Sequence, residues 1–486
     1  MEIEYCLMDA ADRYPDKIAV KCGETACTYI QLWKKVMKRA YALCAEYGVA
    51  KNDFKLFTSL KKTPIPFRTS QSIDFLVEYF AIHVAGGVAV PLDKDMPDEG
   101  FLNYQRKLMR SGITKGLRKG HCLKDVADVL FTTGTTGKPK GVIIRDSAIQ
   151  SNAYFLARNQ RYHHDLHFIV TGPLNHFGNL SKIYPVIMKG GTLHIIDGMK
   201  DMNSFFETMD REIALSRTQP ETNRKEPKFA TFLVPASIRM LLTFAKARLA
   251  SYGNWLEFIE TGAAPISQAD MERLCAILPK TRLYNTYAST EVGIIATHDF
   301  NHGECVAGCV GYHGDFTTCR LANLESKEIL KSADYPKFGE IVCNGRSLFS
   351  GYYDNEKLTR SVMKHGAFYT SDLGEIDSKG WLYLKGRMDD VINVGGYKVS
   401  PAEVEDAALS VPAIKDCICI PAQHHVLGTV LKLLYVIRDG MTIEKRQIAL
   451  ALKDQLERYK VPTMYERVES INRTYNGKLD RKSYLQ

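Results

Sequence analysis

The run Phe131-Thr-Thr-Gly-Thr-Thr-Gly-Lys-Pro-Lys-Gly141 sets three glycines, four hydroxyls and two lysines between the apolar stretches Val129–Phe131 and Val142–Ile144. Glycines let backbone N–H groups turn toward an anion, hydroxyls donate further hydrogen bonds, and lysines add positive charge. The chemistry that fits is a phosphate grip. The run is not a Walker A loop: only Thr135 and Thr136 separate Gly134 from Gly137-Lys138, and Pro139 replaces the Ser or Thr that would hold magnesium. Val142–Ile144 reads as a strand, so the loop is expected to join two strands and close over a triphosphate. A plain polar hairpin turn needs far less than this composition.

The rest of the chain must position that loop. At 486 residues it is too long for one core, which implies two or more domains. The formal net charge of +9 is modest for this length, and no basic run is dense enough for nucleic acid. A mild cationic excess suits a polyanionic substrate. The acidic start Met1–Tyr5 lacks the pattern of a secretory signal, and Phe75 to Leu92, interrupted by Glu78, His83 and Gly86-Gly87, reads as helix, turn and strand rather than a membrane span. A cytoplasmic protein with free thiols at its 12 cysteines is the expectation. His302, Cys305, Cys309 and His313 have zinc-like types, but their spacing matches no common structural zinc pattern, and a loop-rich connection is expected there.

Apolar residues at Leu32, Val36, Ala40 and Leu43, followed by Gly48, predict a helix over Tyr29–Tyr47. Strand-like runs follow at 167–170, 192–196, 229–234 and 255–259, with helices between them at 238–249 and 268–278. This alternation predicts α/β layers with largely parallel sheets. From Gly339 the texture turns to short strands and turns. A compact segment of about 100 residues, a usual small-domain size, follows Gly386-Arg-Met-Asp-Asp390.

Six ordered motifs then resemble the adenylate-forming, AMP-producing ligase superfamily, which includes acyl- and aryl-CoA synthetases, peptide-synthetase adenylation domains and luciferases. They are Thr132 to Gly141, Gly262-Ala-Ala-Pro265, Tyr287-Ala-Ser-Thr-Glu291, Phe368-Tyr-Thr-Ser-Asp372, Gly386-Arg-Met-Asp389 through Gly395-Gly-Tyr-Lys-Val-Ser-Pro-Ala-Glu-Val-Glu405, and Asn476-Gly-Lys478. Their order covers nearly the whole chain, which makes the resemblance specific. It implies a large N-terminal domain, residues 1–388, with two αβαβα-type subdomains and a small β-barrel-like part. A small mobile α+β domain, 389–486, follows a hinge near Asp389.

The resemblance also implies the site. Thr132, Thr133, Gly134, Thr135, Thr136, Gly137, Lys138 and Lys140 would hold the ATP phosphates. Gly262, Ala263 and Ala264, with Tyr287, Ala288 and Ser289, would border adenine, and Asp372 would accept from the ribose hydroxyls with Arg387 nearby. Glu291 and Thr136 would hold Mg2+, a hard cation that takes oxygen ligands. Lys478, Thr290, Glu291 and His176 would be catalytic. The chemistry is consistent: a carboxylate must approach the α-phosphate, and the like charges need neutralising and alignment. Lys478 can bridge both anions. Rotation about Asp389 would then bring Gly395-Gly396 to the site for a pantetheine thiol.

The acyl pocket is expected near Pro173-Leu-Asn-His-Phe-Gly-Asn179, with Phe177, Val234, Ala236 and Ala264 as an apolar wall. Gly178 stands where amino-acid-activating relatives place an Asp, and an uncompensated ammonium in a closed pocket is costly. Val90-Pro-Leu-Asp93 pulls the other way, since it resembles those same relatives. The chain departs from the family in a short stretch between Asp93 and the phosphate loop, in Ala288 for Gly, in Phe368 and Ser371 for Tyr and Gly, and in Asn472 for Pro. The expectation is an ATP-dependent carboxylate–CoA ligase using ATP, Mg2+ and coenzyme A. A carrier-protein phosphopantetheine acting in trans is the alternative acceptor, and an ATP- or acyl-adenylate-binding protein without turnover is the non-enzymatic alternative.

Overall fold

The computed structural model describes residues 5–484 apart from 112, 119, 134–138, 200, 221–224, 332–336, 395–396 and 475–478. The helix Tyr29–Glu46 illustrates how local sequence is expressed. Thr28 Oγ1 accepts from Gln31 N–H, Gln31 Oε1 accepts from Thr28 N–H, and this capping box starts the helix. Leu32, Val36, Ala40 and Leu43 are buried on one face. The stretch from Phe75 to Leu92 divides as read, into the helix Ile73–Val84, a turn with Gly86 at φ 81°, and the strand Val88–Leu92. Among the described residues no helix is long and apolar enough to cross a membrane.

An eight-stranded sheet forms the centre, in the order Gly293–Asp299, Arg282–Ser289, Leu256–Thr261, Lys228–Leu233, Leu166–Val170, Thr192–Ile195, Ile18–Cys22, Thr25–Thr28. Its six inner strands are parallel to one another, and both edge strands pair antiparallel. Phe229 to Leu233 are buried without a break, as expected of a strand covered on both faces. Helices Phe177–Lys189, Pro235–Phe244 and Gln268–Ile277 follow the C-terminal ends of three of these strands. Their first turns therefore gather at one rim of the sheet, where open α/β sheets place their ligands.

A second sheet runs Gly351–Tyr352, Pro139–Arg145, Val126–Thr133, Val88–Leu92, Pro64–Arg68. Between Asp93 and the phosphate loop the only α-helix among the described residues is Asp98–Ser111. A third, antiparallel sheet runs Cys309–Gly311, Leu382–Arg387, Ala367–Ile376, Lys337–Gly345, Thr317–Ala322, with Met363–Lys364 added at Ala367–Ile376. Beyond the 3-10 turn Met388–Asp390 come the ribbon Ile392–Val394/Tyr397–Val399 and a sheet of Ile414–His424, Gly428–Ile437 and Met464–Arg467. These last elements close over their own core, with Val399, Val404, Ile414, Leu433 and Ile448 fully buried.

Two expectations need correction. The helix read over 238–249 is two, Pro235–Phe244 and Lys246–Ser251, because Ala245 leaves helical geometry at φ −137°. The short-strand texture assigned from Gly339 onward begins earlier, at Cys309, and its main strands have nine and ten residues. Glycine misled there: Gly339 serves a close approach rather than a turn, since a Cβ on it would lie 2.5 Å from the Ala322 carbonyl oxygen.

Beneath the rim, Lys182 Nζ donates to Glu260 Oε1 at 2.6 Å, with both side chains almost fully buried. The pair ties the helix Phe177–Lys189 to the strand Leu256–Thr261. A buried pair is costly to break because the survivor keeps its charge. Glu260→Gln is therefore expected to cost about 3–5 kcal/mol, measured as a lowered midpoint of chemical unfolding.

Candidate functional site

The phosphate-loop run lies, as expected, between two antiparallel strands: Thr132 pairs with Lys140 and Thr133 with Pro139. Gly134, Thr135, Thr136, Gly137 and Lys138, the side chain of Thr133, Gly395, Gly396 and Lys478 lie outside the described residues. The remaining site residues fall on one rim, and a chain of close contacts joins most of them.

Tyr287, Ala288 and Ser289 end the strand Arg282–Ser289, and Thr290 and Glu291 form the turn into Gly293–Asp299. The Tyr287 hydroxyl donates to Asp372 Oδ2 at 2.6 Å. Asp372 pairs across the third sheet with Arg387, whose Nε lies 3.4 Å from Asp372 Oδ1. Both carboxylate oxygens are thus engaged, and a carboxylate oxygen can accept more than one hydrogen bond. Burial, followed by Asp372, pushes the Tyr287 phenol well up, so it stays a donor at neutral pH. Burial alone would lower the Arg387 guanidinium; Asp372, Asp389 and Asp390 outweigh it and hold the group above its ordinary value.

Asp372 follows Ser371, which sits at φ 60° in the left-handed region. This explains the glycine usual at that place, because only glycine adopts such a φ freely. Here the strained turn is held from behind: the buried Glu340 accepts from Ser371 N–H through Oε1 and from Lys327 Nζ through Oε2.

Glu291 is anchored by a residue the sequence reading passed over. The Tyr352 hydroxyl donates to Glu291 Oε1 at 2.8 Å, and Lys140 Nζ stands 5.8 Å above the Tyr352 ring. Phe349 N–H donates to the Glu291 carbonyl at 2.7 Å. Tyr352 therefore connects the base of the phosphate loop to the acidic turn. The signal was present as Gly351-Tyr-Tyr353, an aromatic pair behind a glycine at φ 131° whose Cβ would clash with the Gly116 carbonyl at 2.2 Å. A carboxylate oxygen is a hard donor, so Glu291 fits Mg2+ by its chemistry.

The acyl side follows the same rim. His176 is the N-cap of the helix Phe177–Lys189 and is half-buried. A Cβ on Gly178 would lie 3.1 Å from the Phe232 ring, and one on Gly262 would lie 3.6 Å from it. Phe232, also absent from the sequence reading, thus fills the space between the helix start and the end of the strand Leu256–Thr261, with Lys182 Nζ 5.2 Å from its ring centre. Gly262 in turn approaches the neighbouring strand so closely that a Cβ would stand 2.6 Å from the Thr286 carbonyl. Ala263 follows at φ 66°, a sharp turn that ends the strand, and Ala264 stands beside it. The contacts run from Gly178 through Phe232 and Gly262 to Thr286, Tyr287, Asp372 and Arg387.

The zinc-like quartet does not converge among the described residues. His302 Nδ1 is 2.9 Å from Asp299, His313 Nδ1 lies near the Gly314 carbonyl, and Cys309 is buried in a strand. All 12 cysteines are free thiols. One other group comes together, His167, His194 and Glu212. There Lys21 Nζ already donates to both Glu212 oxygens, at 2.7 and 2.9 Å. Burial lowers His167 to about 4, and His194 further, so both rings are neutral at pH 7 and bond to each other.

Comparison with known proteins agrees with this geometry. The family model for AMP-binding enzymes matches residues 118–353, and that for the AMP-binding enzyme C-terminal domain matches 403–478. The indoleacetate–CoA ligase of Aromatoleum aromaticum is 25% identical, with 81% of this chain and 73% of that protein covered. A feruloyl-CoA synthase of Amycolatopsis is 24% identical, with 96% and 94% covered. In three dimensions the chain superposes on ATP-bound MatB from Rhodopseudomonas palustris with a TM-score of 0.82 at 22% identity, covering 100% and 98% of the two chains. It also superposes on o-succinylbenzoate CoA synthetase from Bacillus subtilis, in complex with its acyl-adenylate, with a TM-score of 0.78 at 19% identity and 99% and 98% covered. Two family models in the right order, a shared fold along the full chain and a contiguous rim of motif residues lead to one conclusion: the chain belongs to the adenylate-forming superfamily of acyl- and aryl-CoA synthetases.

Proposed function

We propose that the chain joins a carboxylic acid to coenzyme A at the expense of ATP, through an acyl-adenylate, with release of AMP and pyrophosphate. The observation that supports this reading is that Phe232, lying close to Gly178 and Gly262, shares one rim with the Tyr287–Asp372–Arg387 contacts. The reading divides the chain at 388/389, with residues 389–486 moving about Asp389.

In the first half-reaction Asp372 accepts from the ribose hydroxyls while Tyr287, its hydroxyl committed to Asp372, offers its ring to adenine. Arg387 holds Asp372 in place and keeps its charge near the nucleotide. Thr290 donates to phosphate. The phosphate loop, with Lys138 and Lys140, grips the β- and γ-phosphates. Glu291, oriented by Tyr352, would hold Mg2+, which supplies charge neutralisation on the phosphates. Lys478 bridges the acid's carboxylate and the α-phosphate, so that carboxylate oxygen attacks phosphorus and pyrophosphate leaves. In the second half-reaction the thiol attacks the acyl carbon and AMP leaves, with Gly395-Gly396 lining its path.

The acid is not an α-amino acid on this reading. The Asp that would pair an ammonium is replaced by Gly178, where a Cβ would lie only 3.1 Å from the Phe232 ring. Two curated relatives carry aromatic acids in their names, indoleacetate and ferulate, which makes aromatic and arylalkyl carboxylic acids the first class to assay.

Pyrophosphate release across a panel of aromatic, aliphatic and amino acids tests the proposal. Signal is expected with a carboxylic acid lacking an α-ammonium, followed by a thioester with CoA. Silence from every acid while ATP still binds would overturn it, and a product formed only with a phosphopantetheinylated carrier would change the acceptor. Asp372→Asn is expected to lower kcat/KM for ATP by about 10- to 100-fold, since a charged acceptor is lost to Arg387 and the ribose together. Lys478→Ala should abolish adenylation yet leave thioester formation from supplied acyl-adenylate largely intact, with the two half-reactions assayed separately.

A further inference from the structure

The segment after Met388–Asp390 docks on the large unit through side chains whose charges alternate. On the large unit, Arg239 in the helix Pro235–Phe244 donates through Nε to the buried Asp270 at 3.0 Å. Its Nη1 reaches across to Asp416 Oδ1 at 3.1 Å, on the strand Ile414–His424. Asp416 also receives Arg473 Nη2 on both oxygens, at 2.8 Å each. The sequence Asp270–Arg239–Asp416–Arg473 therefore alternates in sign, and Arg273 stands 3.9 Å from the Asp270 end. Their side chains are 4%, 19%, 21% and 27% exposed, so water screens the line only in part. A second docking contact lies beside it: Gln268 N–H, at the start of the helix Gln268–Ile277, donates to Asp406 Oδ1 at 3.0 Å.

The far end of this line has functional weight. Arg473 pairs with Leu479 in an antiparallel bridge, and Leu479 is the residue next to Lys478 in sequence. Arg481, just past the bridge, is bonded to both oxygens of the buried Glu405 and lies 3.8 Å from Asp390, next to the hinge residue. The bridge next to Lys478 is thus tied on one side to the hinge and on the other to the large unit. On the large unit, the anchor helices begin just past the acyl wall and just past Gly262–Pro265.

We propose that Asp416 is a positioning residue for adenylation: by accepting from Arg239 and Arg473 at once, it couples docking of the small unit to placement of the Lys478 loop. The proposal rests on the reading of Lys478 as the adenylating lysine. A polar clasp suits a reversible contact, because its groups regain hydrogen bonds to water when the small unit leaves, whereas exposed apolar surface would resist release. Asp416 itself touches no substrate and acts only through Arg473.

The test uses the full chain and three variants, Asp416→Asn, Arg239→Gln and Asp416→Glu. With the acid that wild type activates best, Asp416→Asn and Arg239→Gln should lower kcat for pyrophosphate release by about tenfold, the equivalent of 1.4 kcal/mol, with KM for ATP unchanged. Thioester formation from supplied acyl-adenylate and CoA should stay within about twofold of wild type, and Asp416→Glu should recover most of the adenylation rate. Equal loss in both half-reactions, or no loss in either, would overturn the proposal. A second arm needs no turnover: labels on the two units of the ligand-free protein should report a broadened distance distribution in Asp416→Asn. An unchanged distribution would also overturn it. If wild type releases no pyrophosphate with any acid, the ligase reading fails while the distance arm still decides the clasp.

Discussion

The hydrogen bond from Tyr287 to Asp372 joins two sheets that have no strand in common, and it ties together the rim where the motif residues gather. Tyr287 ends a strand of the parallel sheet; Asp372 lies within the antiparallel one. Asp372 follows the left-handed Ser371, whose N–H is bonded to Glu340 on the neighbouring strand, and Tyr287 lies two residues before the end of its own strand. Arg387 faces the other oxygen of Asp372 at 3.4 Å, and the 3-10 turn Met388–Asp390 begins at the next residue.

Charge is handled differently at different depths. Deep charges are matched one to one, as in Lys182–Glu260 and Arg481–Glu405, where an unpaired survivor would be costly. On the rim, Asp372 meets the Tyr287 hydroxyl and the Arg387 guanidinium, and Glu291 meets the Tyr352 hydroxyl, at side chains that water reaches in part. At the contact between the large and small units, acids and bases alternate along a partly wet line.

Close packing sets the shape of the acyl side. Phe232 rests against two glycines from different elements, and Gly262 brings its strand against the Thr286 carbonyl. A methyl at either glycine would push the ring or the strand, because interiors have little free volume to absorb it. The pocket wall is therefore set as much by missing side chains as by those present.

The sequence by itself determined the motif set, the order of the motifs and the alternation of strand and helix, because each is local. A capping Thr28, a run such as Phe229 to Leu233 and a glycine-rich loop declare themselves within a few residues. Through the resemblance rather than through spacing, it also named Tyr287, Asp372 and Arg387, which the fold brings into contact. Only the tertiary structure decided which residues support them. Tyr352, Phe232, Glu340 and Asp416 act across 61, 54, 31 and 57 residues of chain, respectively on Glu291, Gly178, Ser371 and Arg473. No periodicity reports such partners: a Tyr that orients a carboxylate and a Tyr that fills a core look alike until the chain has folded. The early start of the antiparallel sheet at Cys309 has the same origin, since that strand is defined by its pairing with Leu382–Arg387. Contacts distant in sequence override local preference, and they exist only once the sheets have come together.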